Sequence, residues 1–299
     1  MTTLSRAALL VSAMAATAGA QSGSSIASRV AAAPDGEVRM TYASRANACG
    51  DGRDAVAIGQ SFSMSSSFES YGSWRGTTCV HGPARVAVTV RDHEVVGLRA
   101  QVGGSWPAGG AASIDLGTVP AADAAAYFLS LSRRLGSSSR RNPMLAAALA
   151  DSANVAPDLL RLAGDASLGR ESRRRAVRWV GVVGDASMVA PLTALATASG
   201  GEATGADDPG PGDGVQSAAI GALAMLDDGA GMNALMDLAR HGSVSVRKAA
   251  VFWVGQSDEP RARALVRTII DGGRESETVR GAAIFALGQG DNQTAADAS

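Results

Sequence analysis

The side chains that most often carry enzyme chemistry are scattered along this sequence. The three histidines are His81, His93 and His241. His93 and Glu94 match the first half of the zinc motif HExxH, but Gly97 stands where that motif needs its second histidine. Neither a GxSxG nucleophile turn nor a phosphate-binding glycine loop occurs. The linear motifs therefore predict no catalytic residue, no metal and no cofactor.

An active site can also assemble from residues that are distant in sequence. Asp51, Asp54, His81 and His93 all belong to the N-terminal half of the chain and could together supply a general base with carboxylate partners. This set supports one alternative function, a hydrolase-type or other enzyme activity in the N-terminal half. The C-terminal half would then recognise the substrate.

The two cysteines, Cys49 and Cys79, favour a structural disulfide over a redox or metal pair. They lack the CxxC spacing of redox centres, and no cluster of further ligands surrounds them. An exported chain with one pair of cysteines usually oxidises it. The bridge would close a loop of about thirty residues.

The charge of the chain is balanced overall but unevenly distributed. A net charge of -1 argues against nucleic-acid binding. Ten arginines face four acids between Arg133 and Arg178, whereas eight basic residues face fourteen acids from residue 200 onward. Such asymmetry can steer an asymmetric partner or favour head-to-tail self-association.

Four arginines in the basic region follow one another at helical spacing. We expect them to form one face that binds an acidic partner; they are Arg170, Arg173, Arg174 and Arg178. Two alternatives remain open. The arginines could pair with acids of adjacent helices, such as Asp165 or Asp185, or they could be solvated charges without a partner.

Alternation of apolar and polar residues predicts a small β-domain over residues 37–118. Its best case is a hairpin of segments 86–90 and 96–102, which are separated by Asp92-His93-Glu94. The serine-rich segment 61–73 is expected to be a loop, part of which could pair as an edge strand.

From residue 119 the pattern becomes helical, and a helix-pair motif recurs. The two closest copies, VRKAAVFWVG at 246–255 and VRGAAIFALG at 279–288, begin 33 residues apart. Two more copies, at 172–181 and 215–224, fit the same frame. A second helix with a Leu-centred apolar stripe follows or precedes each copy; these helices are expected at 156–163, 190–196, 234–239 and 264–270.

The gap between the copies at 172 and 215 contains an insertion over 199–214. It is too rich in Gly, Pro and Asp to pack as a helix, and we expect it to be flexible. Its acids Asp207, Asp208 and Asp213 miss the spacing of an EF-hand loop, which favours a solvated loop over a calcium site.

Within the repeat copies, glycines and tryptophans occupy recurring places. Gly181, Gly255 and Gly288 end the copies, where they are expected to form left-handed helix caps. Trp179 and Trp253 share one place in two copies. Packing between repeats is the favoured interpretation, and a partner-binding platform is the alternative.

Repeats with a VRxAAxxALG first helix resemble the HEAT family, in particular the short HEAT-like repeats also found in phycobilisome lyases. The resemblance covers about residues 142–290. It implies an all-α solenoid domain over 119–290 that presents a surface to another protein. The lyase activity of some relatives is not implied, because no motif for it can be placed on this sequence.

The N-terminus has the pattern of a cleavable signal peptide. Arg6 precedes an apolar run over 7–18, and Ala18-Gly19-Ala20 gives the small residues that signal peptidase reads. We expect a signal peptide over 1–20, a linker over 21–36 and a disordered tail over 291–299. The apolar run is too short to span a bilayer, so the product is expected in the periplasm or outside the cell.

The combined expectation is an α+β protein with a small N-terminal β-domain followed by a HEAT-like α-solenoid. Its expected function is that of an exported scaffold that binds a protein partner in the cell envelope without catalysis of its own. The candidate partner-binding residues are Arg170, Arg173, Arg174, Arg178, Trp179 and Trp253.

Overall fold

The computed structural model describes residues 25–53, 55–59, 62–65, 68–70, 78–106, 113–135, 142–198, 214–273 and 275–297. For 62–65, 68–70 and 289–297 the description covers the backbone alone. A β-sheet region precedes a series of helices, which confirms the α+β class. The expected signal peptide, Asp54 and nearly all of the 199–214 insertion lie outside the described residues.

Within the described ranges, eight strands form two four-stranded sheets. The strands are β1 (Gly36–Tyr42), β2 (Ala48–Gly50), β3 (Val56–Ile58), β4 (Phe62–Ser65), β5 (Phe68–Ser70), β6 (Ala84–Arg91), β7 (Glu94–Val102) and β8 (Ser113–Thr118). One sheet has the order β7-β6-β1-β8 and the other β2-β3-β4-β5. β1 runs antiparallel to β6 and parallel to β8. The strand β5 in the serine-rich segment is thus the edge of the second sheet.

The predicted hairpin is confirmed as β6 and β7. Asp92 and His93 form its turn with φ values of 51° and 61°. A two-residue type I′ turn requires positive φ at both of these positions. The backbone N–H of Asp92 donates to Asp35 Oδ1 at 2.8 Å, which anchors the turn. His93 is therefore a turn residue at one end of the sheet.

The predicted disulfide is also confirmed. Cys49 in β2 bonds to Cys79, with their Cα atoms 5.2 Å apart. The neighbouring residues Gly50 and Val80 exchange two backbone hydrogen bonds of 2.7 and 3.0 Å. Closing this loop restricts the unfolded chain and contributes about 3–4 kcal/mol to stability in the chain-entropy estimate.

Eleven α-helices occur in the described residues. They are α1 (Ile26–Ala31), α2 (Ala121–Ser132), α3 (Pro143–Ala148), α4 (Ala156–Gly164), α5 (Arg170–Val183), α6 (Val189–Thr197), α7 (Val215–Met225), α8 (Met232–His241), α9 (Val244–Gly255), α10 (Pro260–Asp271) and α11 (Glu277–Asp297). Each of the four repeat copies lies in its own helix: α5, α7, α9 and α11. Across the described part of the chain, no helix combines the length and apolar character needed to cross a lipid bilayer.

The helices that contain the repeat copies pack against one another in sequence order. α5 contacts α7, α7 contacts α9, and α9 contacts α11. The intervening helices α4, α6, α8 and α10 each pack closely against the helix that follows. Helices of this length are marginal alone, so these mutual contacts hold the helical half together.

Helix α3 joins the helical half to the sheets and is buried on every side. All six of its residues are buried, as an apolar sequence without a polar face requires. At its start, the buried Asn142 side chain accepts a hydrogen bond from the backbone N–H of Leu145 at 3.1 Å. Its last carbonyl groups lack partners within the helix and must find donors elsewhere.

The sheet region supplies those donors. The hydroxyl of Tyr42, at the end of β1, donates to the carbonyl of Ala146 at 2.6 Å. The Arg45 guanidinium reaches the carbonyl groups of Ala148 and Ala153, both at 2.7 Å. Burial raises the pKa of Tyr42 far above its usual value, so its hydroxyl stays protonated and continues to donate. One continuous core results, running from the N-terminal helix through the sheet to α11.

Two terminal segments differ from the sequence expectation. The expected linker over 21–36 contains α1, whose Ile26 and Val30 are buried and which packs against α2. Arg29 of α1 also donates to the carbonyl of Leu116 at 3.1 Å. In the expected disordered tail, α11 continues as a helix to Asp297.

Replacement of Arg45 by Ala should lower the free energy of unfolding by about 1–3 kcal/mol, because it leaves carbonyl groups near α3 without donors. Arg91→Ala is the control, since Arg91 is exposed at the end of β6 and its loss should change stability by no more than about 0.5 kcal/mol. Urea denaturation measures both. Equal effects of the two substitutions would contradict the capping role.

Candidate partner-binding surface

The second residue of several repeat copies has a structural role. We number the residues of each copy from 1 to 10, starting at residues 172, 215, 246 and 279. At position 2, the Arg173 side chain donates to the carbonyl of Ala163 at 2.8 Å, near the end of α4. Arg247 does the same to Ala239, near the end of α8, at 2.9 Å. The recurring arginine thus satisfies carbonyl groups at the end of the preceding helix.

The second copy has the same hydrogen bond without the charge. Gln216 holds position 2 of α7 and donates to the carbonyl of Ala198, the residue directly after α6, at 3.2 Å. The amide therefore substitutes for the guanidinium. Arg173 thus has a structural role at the end of α4, and its role in partner binding stays a prediction.

The other arginines of the predicted basic face are also engaged within the chain. Arg174 pairs with Glu171 at 3.2 Å and its side chain is 17% exposed. The neighbouring Arg175 approaches the same carboxylate at 3.6 Å. Arg170 and Arg178 each have a further interaction partner. Arg170 is exposed and the other three arginines are half-buried, so their joint binding of an acidic partner stays a prediction.

The acids proposed as partners of these arginines have other contacts. Asp165 accepts a hydrogen bond from Ser167 and pairs with Arg133. The Ser167 hydroxyl is the main reason why the pKa of Asp165 is lowered, and Arg133 adds to it. In the same way, a hydrogen bond from Ser187 lowers the pKa of Asp185.

The glycines at position 10 mark points where two helices touch. A Cβ placed on Gly181 would lie 2.7 Å from the Cα of Ala222, in the next repeat helix. A Cβ on Gly255 would lie 2.5 Å from the Cβ of Ala286. The predicted left-handed caps are therefore wrong: α5 continues past Gly181, α11 continues past Gly288, and none of the three glycines has positive φ.

The two repeat tryptophans occupy packed positions. Trp179 is 1% exposed, so it belongs to the core and cannot serve as an open binding platform. Trp253 is half-buried, and its ring lies where a Cβ on Gly221 would meet it at 2.9 Å. Both residues stand at position 8, which is also the position of Ala222 and Ala286. Position 8 of α7, α9 and α11 therefore faces the preceding repeat helix, and Gly221 leaves room there for the Trp253 ring.

The same contacts show which side of each helix faces the following one. The glycines that touch the following repeat helix are Gly181 and Gly255 at position 10 and Gly221 at position 7. Positions 7 and 10 therefore face the following helix. Positions 3 and 6 belong to the same side, because residues three and four apart share a helix face. At position 6, the exposed fractions are 0% for Val177, 1% for Ile220 and 0% for Val251.

In α11, the equivalent side is exposed. Ile284 at position 6 is 55% exposed, and Phe285 at position 7 is 37% exposed. Gly281 and Gly288, at positions 3 and 10, are exposed as well. A Cβ on either glycine would meet no described atom within 4 Å. We call Gly281, Ile284, Phe285 and Gly288 the α11 stripe.

Phe285 of the α11 stripe belongs to a group of three aromatic residues. The rings of Phe252 in α9 and Phe285 in α11 are stacked with centroids 6.0 Å apart. Phe252 also meets the ring of Trp253 edge to face at 5.3 Å. Aromatic residues make up only 4% of the chain, so this concentration beside an exposed apolar stripe is unusual. Exposed apolar and aromatic groups of this kind suit burial against another protein.

The α11 stripe carries no titratable group and therefore suits binding rather than acid–base chemistry. Within the described residues, no three His, Cys, Asp or Glu side chains lie together as a metal site would require. In the sequence, Ile284 and Phe285 are apolar residues within the repeat copy at 279–288. Their flanking glycines, at spacings of three and four, were the available sign of a separate surface.

Three of the four alternative enzyme residues lie in the described part of the chain, and His93 is separated from the other two. His81 precedes β6, where its Nδ1 lies 2.8 Å from the carbonyl oxygen of Ala48. His93 lies beyond the other end of that strand, and eight strand residues span roughly 26 Å. Asp51 and His81 belong to one region, because they follow the paired residues Gly50 and Val80. The Asp51 carboxylate accepts hydrogen bonds from the backbone N–H groups of Arg53 and Ala55.

Neither a protein-family model nor a curated protein sequence matches this chain.

Gly181→Ala should lower the free energy of unfolding by about 1–3 kcal/mol, because the added methyl group collides with the backbone of Ala222. Gly281→Ala is the matched control within a helix. Its added methyl group meets no described atom, so the better helix propensity of Ala should raise stability by roughly 0.5–1 kcal/mol. Thermal or urea unfolding at low protein concentration measures both, and a stabilising Gly181→Ala would refute the close approach of the two helices.

Proposed function

We propose that this protein is an exported scaffold of HEAT-like helical repeats that binds another protein in the cell envelope and has no catalytic activity of its own. The observation that carries the proposal is the exposure of the α11 stripe. Position 6 is buried in α5, α7 and α9, each of which packs against the following repeat helix, whereas in α11 the same position is exposed.

The repeat assignment is supported by the order of helix contacts. Four helices with related sequences meet their neighbours through the same side, with position 10 or 7 of one helix against position 8 of the next. Such nearest-neighbour packing is the way in which short helical repeats form solenoids. A further helix could add to the open side of α11 through the same kind of contact.

Export is supported by the oxidised cysteine pair. Disulfides such as Cys49–Cys79 form and persist in the periplasm and outside the cell, and they are rare in the reducing cytosol. The signal-peptide pattern over residues 1–20 agrees with this location. A partner is accordingly to be sought among envelope or secreted proteins.

The proposal predicts that a photo-crosslinking amino acid at position 285 traps a protein in cells that export the chain. Position 244 is the control, because Val244 is 51% exposed in α9 but lies outside the α11 stripe. We expect discrete crosslinked products from position 285 and only background from position 244. Denaturing electrophoresis and mass spectrometry of the products provide the measurement; equal yields from both positions would contradict a dedicated surface.

A further inference from the structure

The sheet with the order β7-β6-β1-β8 has one apolar face and one polar face. Side chains alternate between the two faces of a strand, so the buried Val38 and Met40 of β1 leave the other face to Arg39 and its neighbours. Two rows of residues in register cross that polar face on β1, β6 and β7; they are Arg39, Ala87 and Arg99, and next to them Glu37, Thr89 and Gly97.

The two arginines of the first row converge on one carboxylate. Arg39 Nε donates to Glu37 Oε1 at 2.6 Å, and Arg99 Nη2 lies 3.7 Å from Glu37 Oε2. The Arg39 side chain is only 13% exposed, and its guanidinium lies 5.2 Å from the centroid of the Trp106 ring. A hydrogen-bonded carboxylate and an aromatic ring therefore hold Arg39 in one orientation.

Arg99 is held less firmly and keeps its donors open. Its side chain is 48% exposed, and its distance of 3.7 Å from Glu37 is longer than a hydrogen bond. Among the residues that the structure describes, the Arg99 guanidinium finds no hydrogen-bond acceptor. A guanidinium carries five N–H donors in a planar fork that matches the two oxygens of a carboxylate.

The backbone beside Arg99 leaves room for a ligand. Gly97 is the preceding residue of β7 on the same face, and it has no side chain to fill the space. A Cβ placed on Gly97 would meet only the Thr89 side chain, whose Oγ1 would lie 3.8 Å away. Arg99 therefore borders a notch whose floor is formed by Gly97 and the half-buried Thr89.

The charges on this face favour a singly charged anion. Arg85 belongs to the same face and donates to the carbonyl of Gly103 at 2.9 Å. Together with Arg39 and Arg99 it opposes two carboxylates, those of Glu37 and of Asp115, which lies in register with Arg39. One positive charge remains. Because Glu37 stays close to the Arg99 guanidinium, it repels a doubly charged phosphate more strongly than a carboxylate.

We infer that Arg99, with the notch over Thr89 and Gly97, binds the carboxylate group of a small ligand. Arg39 and Glu37 position the site from behind, and Arg99 provides the open donors. Carboxylates of this kind occur on acidic peptides and on acidic sugars. The inference goes beyond the proposed function, because the site lies on the β-domain and involves no residue of the α11 stripe.

NMR titration of the isotope-labelled, disulfide-bonded full chain in about 0.1 M salt tests the inference. The probes are an end-blocked triglutamate peptide and trigalacturonate, and their neutral counterparts are triglutamine and the methyl ester of trigalacturonate. At least one acidic probe should shift the backbone amide signals of Thr89 and Gly97 saturably, with a dissociation constant below about 1 mM. The neutral counterparts should cause no saturable shift. The acidic probe that binds more tightly identifies the source of the carboxylate.

Arg99→Gln should weaken this binding at least about 10-fold, because it removes the charged fork. Arg91→Gln is the matched control, since it removes the same charge from β6 roughly 13 Å beyond Ala87, outside the screening length of about 10 Å. Both side chains are exposed, so both variants should melt like the unmodified chain. Absence of saturable shifts with both acidic probes would overturn the inference. Equal weakening by the two substitutions would overturn it as well, because it would show attraction by overall charge alone.

Discussion

Each short helix of the repeat row depends on the next helix to cover one of its sides. The helices α5, α7 and α9 are 11 to 14 residues long, a length at which an isolated helix is marginal in water. Their stability therefore comes from burying an apolar side against a neighbour. The glycines at the contact points allow the helices to approach closely, and Gly221 makes room for the Trp253 ring at position 8.

The two ends of this row of helices differ in whether their apolar sides are covered. At the beginning, α3 is enclosed between α5 and the sheet, and Tyr42 and Arg45 satisfy carbonyl groups at its end. The β-domain is therefore part of the packing of the helices and not an independent attachment. At α11 the apolar side stays exposed, and that asymmetry is the reason why we propose a binding role for this end of the helical row.

Local patterns in the sequence were enough to predict one hairpin, the disulfide and the helices of the repeat copies. The β6–β7 hairpin, the Cys49–Cys79 bridge and the helices of the four repeat copies follow from alternation, cysteine number and periodicity, which act over short stretches of chain. The roles of individual side chains depended on contacts between elements. The sequence around Arg173 does not indicate that its side chain caps α4, because that contact depends on where the fold places the Ala163 carbonyl.

The glycines and the N-terminal segment show the same limit. A glycine at the end of an apolar helix motif suggests a cap, but Gly181 is required because Ala222 of another helix lies against it. Residues 26–31 have little helical periodicity, and the helix there is stabilised by the burial of Ile26 and Val30 against the rest of the protein. The exposure of Ile284 depends on a contact between elements in the same way, since Ile284 has the same apolar type as the buried Val177, Ile220 and Val251.

Thiol labelling of introduced cysteines tests the central claim that position 6 is covered in the inner repeats and open in α11. Both native cysteines are held in the Cys49–Cys79 bond, so an introduced cysteine is the only free thiol. In dilute protein, Ile284→Cys should react with a maleimide nearly as fast as an unstructured peptide. Val251→Cys should react slower by orders of magnitude, because its side chain becomes accessible only when the helices separate. Equal protection of the two thiols in the dilute chain would contradict the account.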